Sequence, residues 1–388
     1  MIATPNKLLI KKVRLYDQPE QSPYFDILIE GESIRLIDKK IDPPAGISKI
    51  NAEGKIASPG FIDVHIHGAG GADVLDGTDE SLETICRTLA ATGTTSFLGT
   101  TFVFPDSDND HLIRAGEFSK QNHEGAQLLG LHLEGPFINK KQKGGIQEKF
   151  IWPYAPEKLD KIFEWTRNAL KMMTIAPELP DSHEAIRELK HRGVIAAFAH
   201  SDADYQETLS GIQAGINHVT HMFNAMRPIH HREPGPLPAL FENPVITAQI
   251  IGDGVHVHPK MVKFARDILG TDRCICITDG IKALGLPDGQ YMLDNREFES
   301  KDGTARLLDG SLIGSTMELR RIALNFMRYT GCSLKSAIDT VALNPARLLG
   351  LEDRKGSLEP GKDADIILLN PEDYSVHSTL VRGRQVYP

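Results

Sequence analysis

The stretch PGFIDVHIHGAGG (59–71) is a short apolar run that ends on two histidines and breaks into glycine. Phe61, Ile62, Val64 and Ile66 mark it as a buried strand. Strand side chains alternate with period two, so His65 and His67 leave it on the same face. Runs of the same style recur downstream: TSFLGT (95–100), LLGLHLE (128–134), MMTIAPE (172–178), VIAAFAH (194–200), INHVTH (216–221), TAQIIGD (247–253) and RCICITD (273–279). With the first, over 60–67, they make eight. Helical patterns fill several intervals. DESLETICRTLAATG (79–93) repeats apolar Leu82, Ile85 and Leu89 and stops at Gly93, and SHEAIRELKHRG (182–193) stops at Gly193. PKMVKFARDILG (259–270) opens on Pro259 and closes on Gly270, as helix ends prefer. Eight strand–helix units over about 220 residues predict an α/β fold, a (β/α)8 TIM-like barrel. A doubly wound open sheet is the competing arrangement, which strand counting alone does not exclude.

The two ends read differently. KLLIKKVRLYD, YFDILIEGESIRLID and ISKINAEGKIASPG are β-rich runs broken by Gly, Pro and Asp, and the tail GSLEPGKDADIILLNPEDYSVHSTLVRGRQVYP repeats that style. Domain termini often lie close together, so residues 1–57 and 351–388 are expected to build one small β-sandwich domain around a barrel spanning 58–350. A length of 388 residues fits this, since single cores stop growing near roughly 250–300 residues.

Composition narrows the class. Hydrophobic residues at 40% and charged residues at 24% are ordinary globular usage, which disfavours disorder and fibrous repeats. No apolar run approaches the ~20 residues needed to span a bilayer, so no membrane association is expected. Four cysteines (Cys86, Cys274, Cys276, Cys332) are too few for a stapled secreted domain, and together with the missing secretory leader they suggest a cytoplasmic protein. A net charge of −9 argues against nucleic acid as a partner while leaving room for an anionic small molecule held by a few local cations.

The chemistry lies in where the polar residues fall. His65 and His67 close the first expected strand, Glu134 the third, His200 the fifth, His221 the sixth and Asp279 the eighth. Barrel enzymes build their sites at the C-terminal strand ends, so these six metal-competent side chains converge. Imidazoles and carboxylates without thiolate suit Zn or Fe better than Mg or Ca. A single strand-end histidine is ordinarily a hydrogen-bonded core residue; six together are hard to explain that way.

PGFIDVHIHGAGG, GLHLEGPFIN (130–139), AHSDAD (199–204), THMFNAM (220–226), DGVHVHP (253–259), ITDG (277–280), GSLIGS (310–315) and GSLEPGKDADIILL (356–369) together resemble the amidohydrolase superfamily and, within it, the N-acetylglucosamine-6-phosphate deacetylases. HxH after a strand is common to many metal hydrolases, whereas HLEGPF with THMFNAM and REPG (232–235) is far more specific to these deacetylases. The resemblance runs essentially end to end. It implies a homodimeric hydrolase of amino-sugar catabolism that takes N-acetylglucosamine 6-phosphate to glucosamine 6-phosphate and acetate. It also implies two divalent ions, Zn or Fe. Glu134, His200 and His221 would hold one, and His65, His67 and Asp279 the other, with Glu134 as the bridge. No lysine ends the fourth strand, so the carboxylated-lysine bridge of many superfamily members has no counterpart here. Asp279 would also serve as the general acid–base that moves a proton from water to the leaving amine.

For the substrate, the resemblance implies contacts from Asn224, Ala225, Arg232 and His256 to the phosphate and hydroxyls. Gly145, Ile146, Leu312, Ile313 and Gly314 would line the sugar. Arg232 is the favoured cation because a guanidinium matches phosphate geometry bidentately, and a phosphate contact from the partner subunit would require the dimer. This chain departs from its relatives at Gly145-Ile146, where a bulkier polar pair is common. Other candidates rank lower: His132 and Asp63 as supports beneath the ligands, His258 and His218 as structural, and His230 and His231, which flank Arg232, as either a solvated loop face or a substrate contact. Gly68, Gly70 and Gly71 lack the spacing and lysine of a nucleotide loop. Rival readings are the same reaction on N-acetylgalactosamine 6-phosphate, a dihydroorotase-type cyclic amidase, and a non-catalytic barrel that has lost the chemistry. A binding scaffold has no need of all six ligand-type residues.

Overall fold

The protein is described here from a computed structural model covering residues 7–42, 46–105 and 107–388. Eight parallel strands form the central sheet: β1 (Phe61–Ile66), β2 (Thr94–Thr101), β3 (Gln127–Glu134), β4 (Leu170–Ile175), β5 (Ile195–Phe198), β6 (His218–Val219), β7 (Thr247–Ile251) and β8 (Cys274–Ile277). Each pairs with its sequence neighbour, and a bridge between Ile66 and Gly280 joins the last strand to the first. The eight expected strands are all present, and closure selects the barrel over the open sheet. Inward-pointing Ile62, Val64, Leu98, Met172, Ala197, Ile251, Ile275 and Ile277 pack as the barrel's interior. The outward faces meet the helices in the largest core.

Several strands end earlier than their apolar runs suggest. His200, His221 and Asp279 have φ of 48°, 28° and 48°, in the left-handed region that L-residues rarely adopt. The ladder cannot continue through such a residue. These three therefore sit just past β5, β6 and β8, and INHVTH keeps only two residues in its strand. The expected helices form at Asp79–Ala91, Ser182–His191 and Pro259–Leu269. Thr78 caps the first through a reciprocal pair of hydrogen bonds with Ser81, and its apolar stripe Leu82, Ile85 and Leu89 is buried against the sheet.

Both chain ends contribute to a second sheet. Strands Lys7–Leu15, Phe25–Glu30, Ser33–Asp38, Ser48–Asn51 and Ile56–Pro59 join Ile366–Leu369, Val376–Val381 and Arg384–Tyr387. The first strand spans two halves: Leu8–Lys11 pairs with Ser48–Asn51, and Arg14–Leu15 pairs with Ile56–Ala57. Ile27 and Ile29 from one half share a core with Ile366 and Leu368 from the other. Ile366–Leu369 runs antiparallel to Ile56–Pro59, directly before β1.

One element lies outside the sequence reading. Between β8 and the helix Leu319–Thr330, an antiparallel sheet of Gly289–Leu293, Arg296–Lys301, Thr304–Leu307 and Leu312–Ser315 folds back over the barrel mouth. Its first two turns, Asp294-Asn295 and Asp302-Gly303, have positive φ at both positions, the conformation of tight hairpins. Among the described residues no helix is long and apolar enough to cross a membrane.

Candidate metal centre and substrate pocket

The strand ends deliver two overlapping groups of ligand atoms. In Glu134, His200 and His221, and again in His65, His67 and Asp279, the nearest ligand atoms lie within 4.8 Å of one another. Glu134 faces both groups. Its Oε1 lies 3.0 Å from His200 Nε2 and 2.9 Å from His221 Nε2, while its Oε2 lies 3.3 Å from His67 Nε2. Asp279 Oδ1 is 3.3 Å from His65 Nε2 and 3.6 Å from His67 Nε2.

The outer partners of these rings set what the inner nitrogens can be. His200 Nδ1 is 2.8 Å from the carbonyl of Gln142, so Nδ1 carries the proton and Nε2 turns a lone pair inward. That lone pair points at Glu134 Oε1 and lies 3.1 Å from His221 Nε2. His65 Nδ1 lies 2.9 Å from Gln249 Oε1, and its buried Nε2 has no hydrogen-bond partner. Ligand-type nitrogen and oxygen atoms thus converge, and the buried Nε2 of His65 among them is left without a partner. Separations near 3 Å are close to the roughly 3.3 Å edge of a tetrahedron of ligands about 2.0–2.1 Å from an ion. The residues fit a divalent cation. Burial drives the His65 imidazole down to about 3, keeping it in the neutral, ligating form.

A pocket opens over this cluster. His67, Glu134, His200, His221 and Asp279 form part of its wall, and Gly145, Ile146, Asn224, Ala225, His256, Leu312, Ile313 and Gly314 also line it. Gly314, with φ of 128°, sits where a Cβ would lie 2.6 Å from the Asp279 carbonyl oxygen, so only glycine lets this strand run against the ligand loop. Asn224 turns its amide Nδ2 back onto the carbonyls of His221 and Met222, stiffening the loop. Arg232 is the one expected substrate contact outside this wall. It is exposed and lies 2.6 Å from His231 Nε2 through Nη1.

Three polar groups in and beneath the pocket escaped the sequence reading. Arg296 lines it and donates from Nη1 to the carbonyl of Gly145 at 3.0 Å. Asp294 binds Gln147 and Lys149, so the hairpin tip clasps the 144–149 loop over the site. Gln249 lies buried below the ligands. The turn signals at Asp294-Asn295 and Asp302-Gly303 mark the hairpin that carries the first two; nothing local marks the third. Among the lower-ranked residues, His132 is bound to Thr174 and the Val64 carbonyl, and Asp63 accepts from Thr278 Oγ1 at 2.6 Å and from the His65 N–H. His258 caps the helix that begins at Pro259. His218 lies 2.7 Å from Thr247 Oγ1.

Residues 56–386 match the amidohydrolase family, and the chain belongs to it. The chain is 37% identical to the N-acetylglucosamine-6-phosphate deacetylase of Bacillus subtilis, over 84% of this chain and 83% of that protein. It is 32% identical to the N-acetylgalactosamine-6-phosphate deacetylase of Escherichia coli O157:H7, over 88% and 91%. The solved structure of a variant N-acetylglucosamine-6-phosphate deacetylase from Mycobacterium smegmatis, in complex with N-acetylglucosamine 6-phosphate, superposes with a TM-score of 0.90 at 28% identity, covering 99% of this chain and 100% of that one.

Proposed function

We propose that this amidohydrolase removes the acetyl group of N-acetylglucosamine 6-phosphate, giving glucosamine 6-phosphate and acetate. The observation that carries the reading is the cluster of four imidazoles and two carboxylates at the floor of a pocket walled by the GSLIGS and FNAM segments. Glu134, His200 and His221 would hold one divalent ion, and His65, His67 and Asp279 a second, with Glu134 serving both. Zn or Fe suits the nitrogen-rich donor set. Such ions would supply acidified water and polarisation of the acetamide carbonyl.

The chain's own residues do the rest. Asp279 takes a proton from the attacking water and passes it to the departing amine. Ile313 and Gly314 with Gly145 and Ile146 hold the sugar against the ligands, and His256, Asn224, the Ala225 backbone and Arg296 face the phosphate end. Arg232, exposed on its own chain, would complete the phosphate site of the partner subunit in a homodimer. Free thiols, three of them buried, suit a reducing cytoplasm.

Acetate release from both amino-sugar phosphates, alongside metal analysis, tests the proposal. Turnover of the gluco substrate is expected. Preference for the galacto epimer would shift the assignment to the second relative's activity. No acetate from either, with hydrolysis of a cyclic amide, would overturn it. Replacing His65 and His67 together should halve the bound metal; unchanged content would remove the second ion.

A further inference from the structure

Gln249 is a fully buried amide on β7, on the face that also carries Ile251 into the apolar barrel interior. An amide in such surroundings is costly unless its groups are bonded. Its Nε2 donates to the sulfur of Met172 at 3.4 Å, which turns Oε1 the other way. That single oxygen lies 2.9 Å from His65 Nδ1 and 3.3 Å from the backbone nitrogen of His221. It therefore touches one member of each ligand group.

We propose that Gln249 is a positioning residue that holds His65 as its Nδ1–H tautomer, with Nε2 bare toward Asp279 and Glu134, and that ties this ring to the backbone of His221. The inference rests on the metal-centre reading above, but its first measurement does not depend on it. A ring whose Nδ1–H is held by a carboxamide oxygen presents Nε2 as a lone pair. Without the acceptor the proton is free to move to Nε2, where Asp279 Oδ1 waits 3.3 Å away and would take it as a hydrogen bond. The ring would then face the centre with a proton instead of a lone pair. Outer-sphere acceptors of this kind ordinarily change metal affinity about 10–100-fold. The backbone of His221, at positive φ, would lose one of its restraints in the same step.

Two variants separate positioning from packing. Gln249→Met keeps length and apolar volume and removes the acceptor. Gln249→Glu keeps an acceptor oxygen at the same reach. In metal-free full-length protein, nitrogen NMR of the histidine rings, with His65 assigned by its loss in His65→Gln, should report Nδ1–H in the wild type and in Gln249→Glu. Gln249→Met should show Nε2–H or a mixture. Titration with Zn2+ should show affinity about 10–100-fold weaker in Gln249→Met and within about threefold of wild type in Gln249→Glu. An Nε2–H tautomer in the wild type would overturn the assignment. So would equal weakening in both variants, or wild-type affinity in Gln249→Met. If the wild type binds no Zn2+ at all, the metal-centre reading falls, and the tautomer measurement alone decides the role of Gln249.

Discussion

The backbone N–H of Asp279 donates to the carbonyl of His65 at 3.0 Å, so the seam that closes the barrel runs through two members of the candidate metal centre. His67 extends it by donating to the Gly280 carbonyl at 2.7 Å. These are main-chain bonds, untouched by a change of side chain. Asp279→Asn should therefore fold normally while kcat falls by about 10²–10⁴, the usual worth of a positioned acid–base group. Acetate release and thermal unfolding, measured together, check this; full activity would remove Asp279 from the mechanism.

His256 is held from the side opposite its ligand-facing edge. Asp253 Oδ2 lies 2.5 Å from Nδ1, and its other oxygen accepts the N–H groups of Val255 and His256. Asp253→Asn keeps the shape and removes the anionic acceptor. The expected result is a KM for the phosphorylated sugar raised about tenfold, the size of one charge-assisted hydrogen bond, with metal content unchanged.

Arg296 and Arg232 make a contrasting pair. Arg296 is the one arginine or lysine among the described residues lining the pocket, whereas Arg232 is exposed outside it. Arg296→Ala should raise KM at least tenfold for the phosphate ester and leave turnover of unphosphorylated N-acetylglucosamine nearly unchanged. Arg232→Ala chains should recover activity when mixed with Asp279→Asn chains, because each supplies what the other lacks across a dimer. No recovery on mixing would count against a shared site.

His218 supplies a pH dependence of stability. Burial drives its imidazole down to about 3, far under the ordinary value near 6.5. As pH falls below 6.5 the unfolded chain takes up a proton that the folded chain refuses. Stability thus drops by about 1.4 kcal/mol per pH unit from this group until pH 3. Urea unfolding at pH 7 and pH 5 should show His218→Gln losing roughly 2 kcal/mol less than wild type over that interval.

The barrel is legible in sequence because its strands are short apolar runs bounded by breakers, and the parity of His65 and His67 follows from strand geometry alone. The turn of His200, His221 and Asp279 out of their strands is not legible. Aspartate and histidine are enriched among non-glycine residues at positive φ, but so few of them adopt it that the packing around each, and not its type, decides it. The hairpins from Gly289 to Ser315 carried readable Asp-Asn and Asp-Gly signals, but alternation of modest hydrophobicity between β8 and the next helix is easily taken for loop. Gln249 in TAQIIGD reads as a surface residue on an apolar strand, since the two groups it binds lie far away in sequence. Arg296 is hidden for the same reason.

The pairing of Ile366–Leu369 with Ile56–Pro59 has a consequence for biosynthesis. The strand that leads into His65 and His67 acquires its outer neighbour only when the last turns of the chain have left the ribosome. Long-range pairing of this kind forms late and slowly. A nascent chain, or one cut short of Ile366, therefore carries the candidate ligands while the strand leading into them still lacks that neighbour.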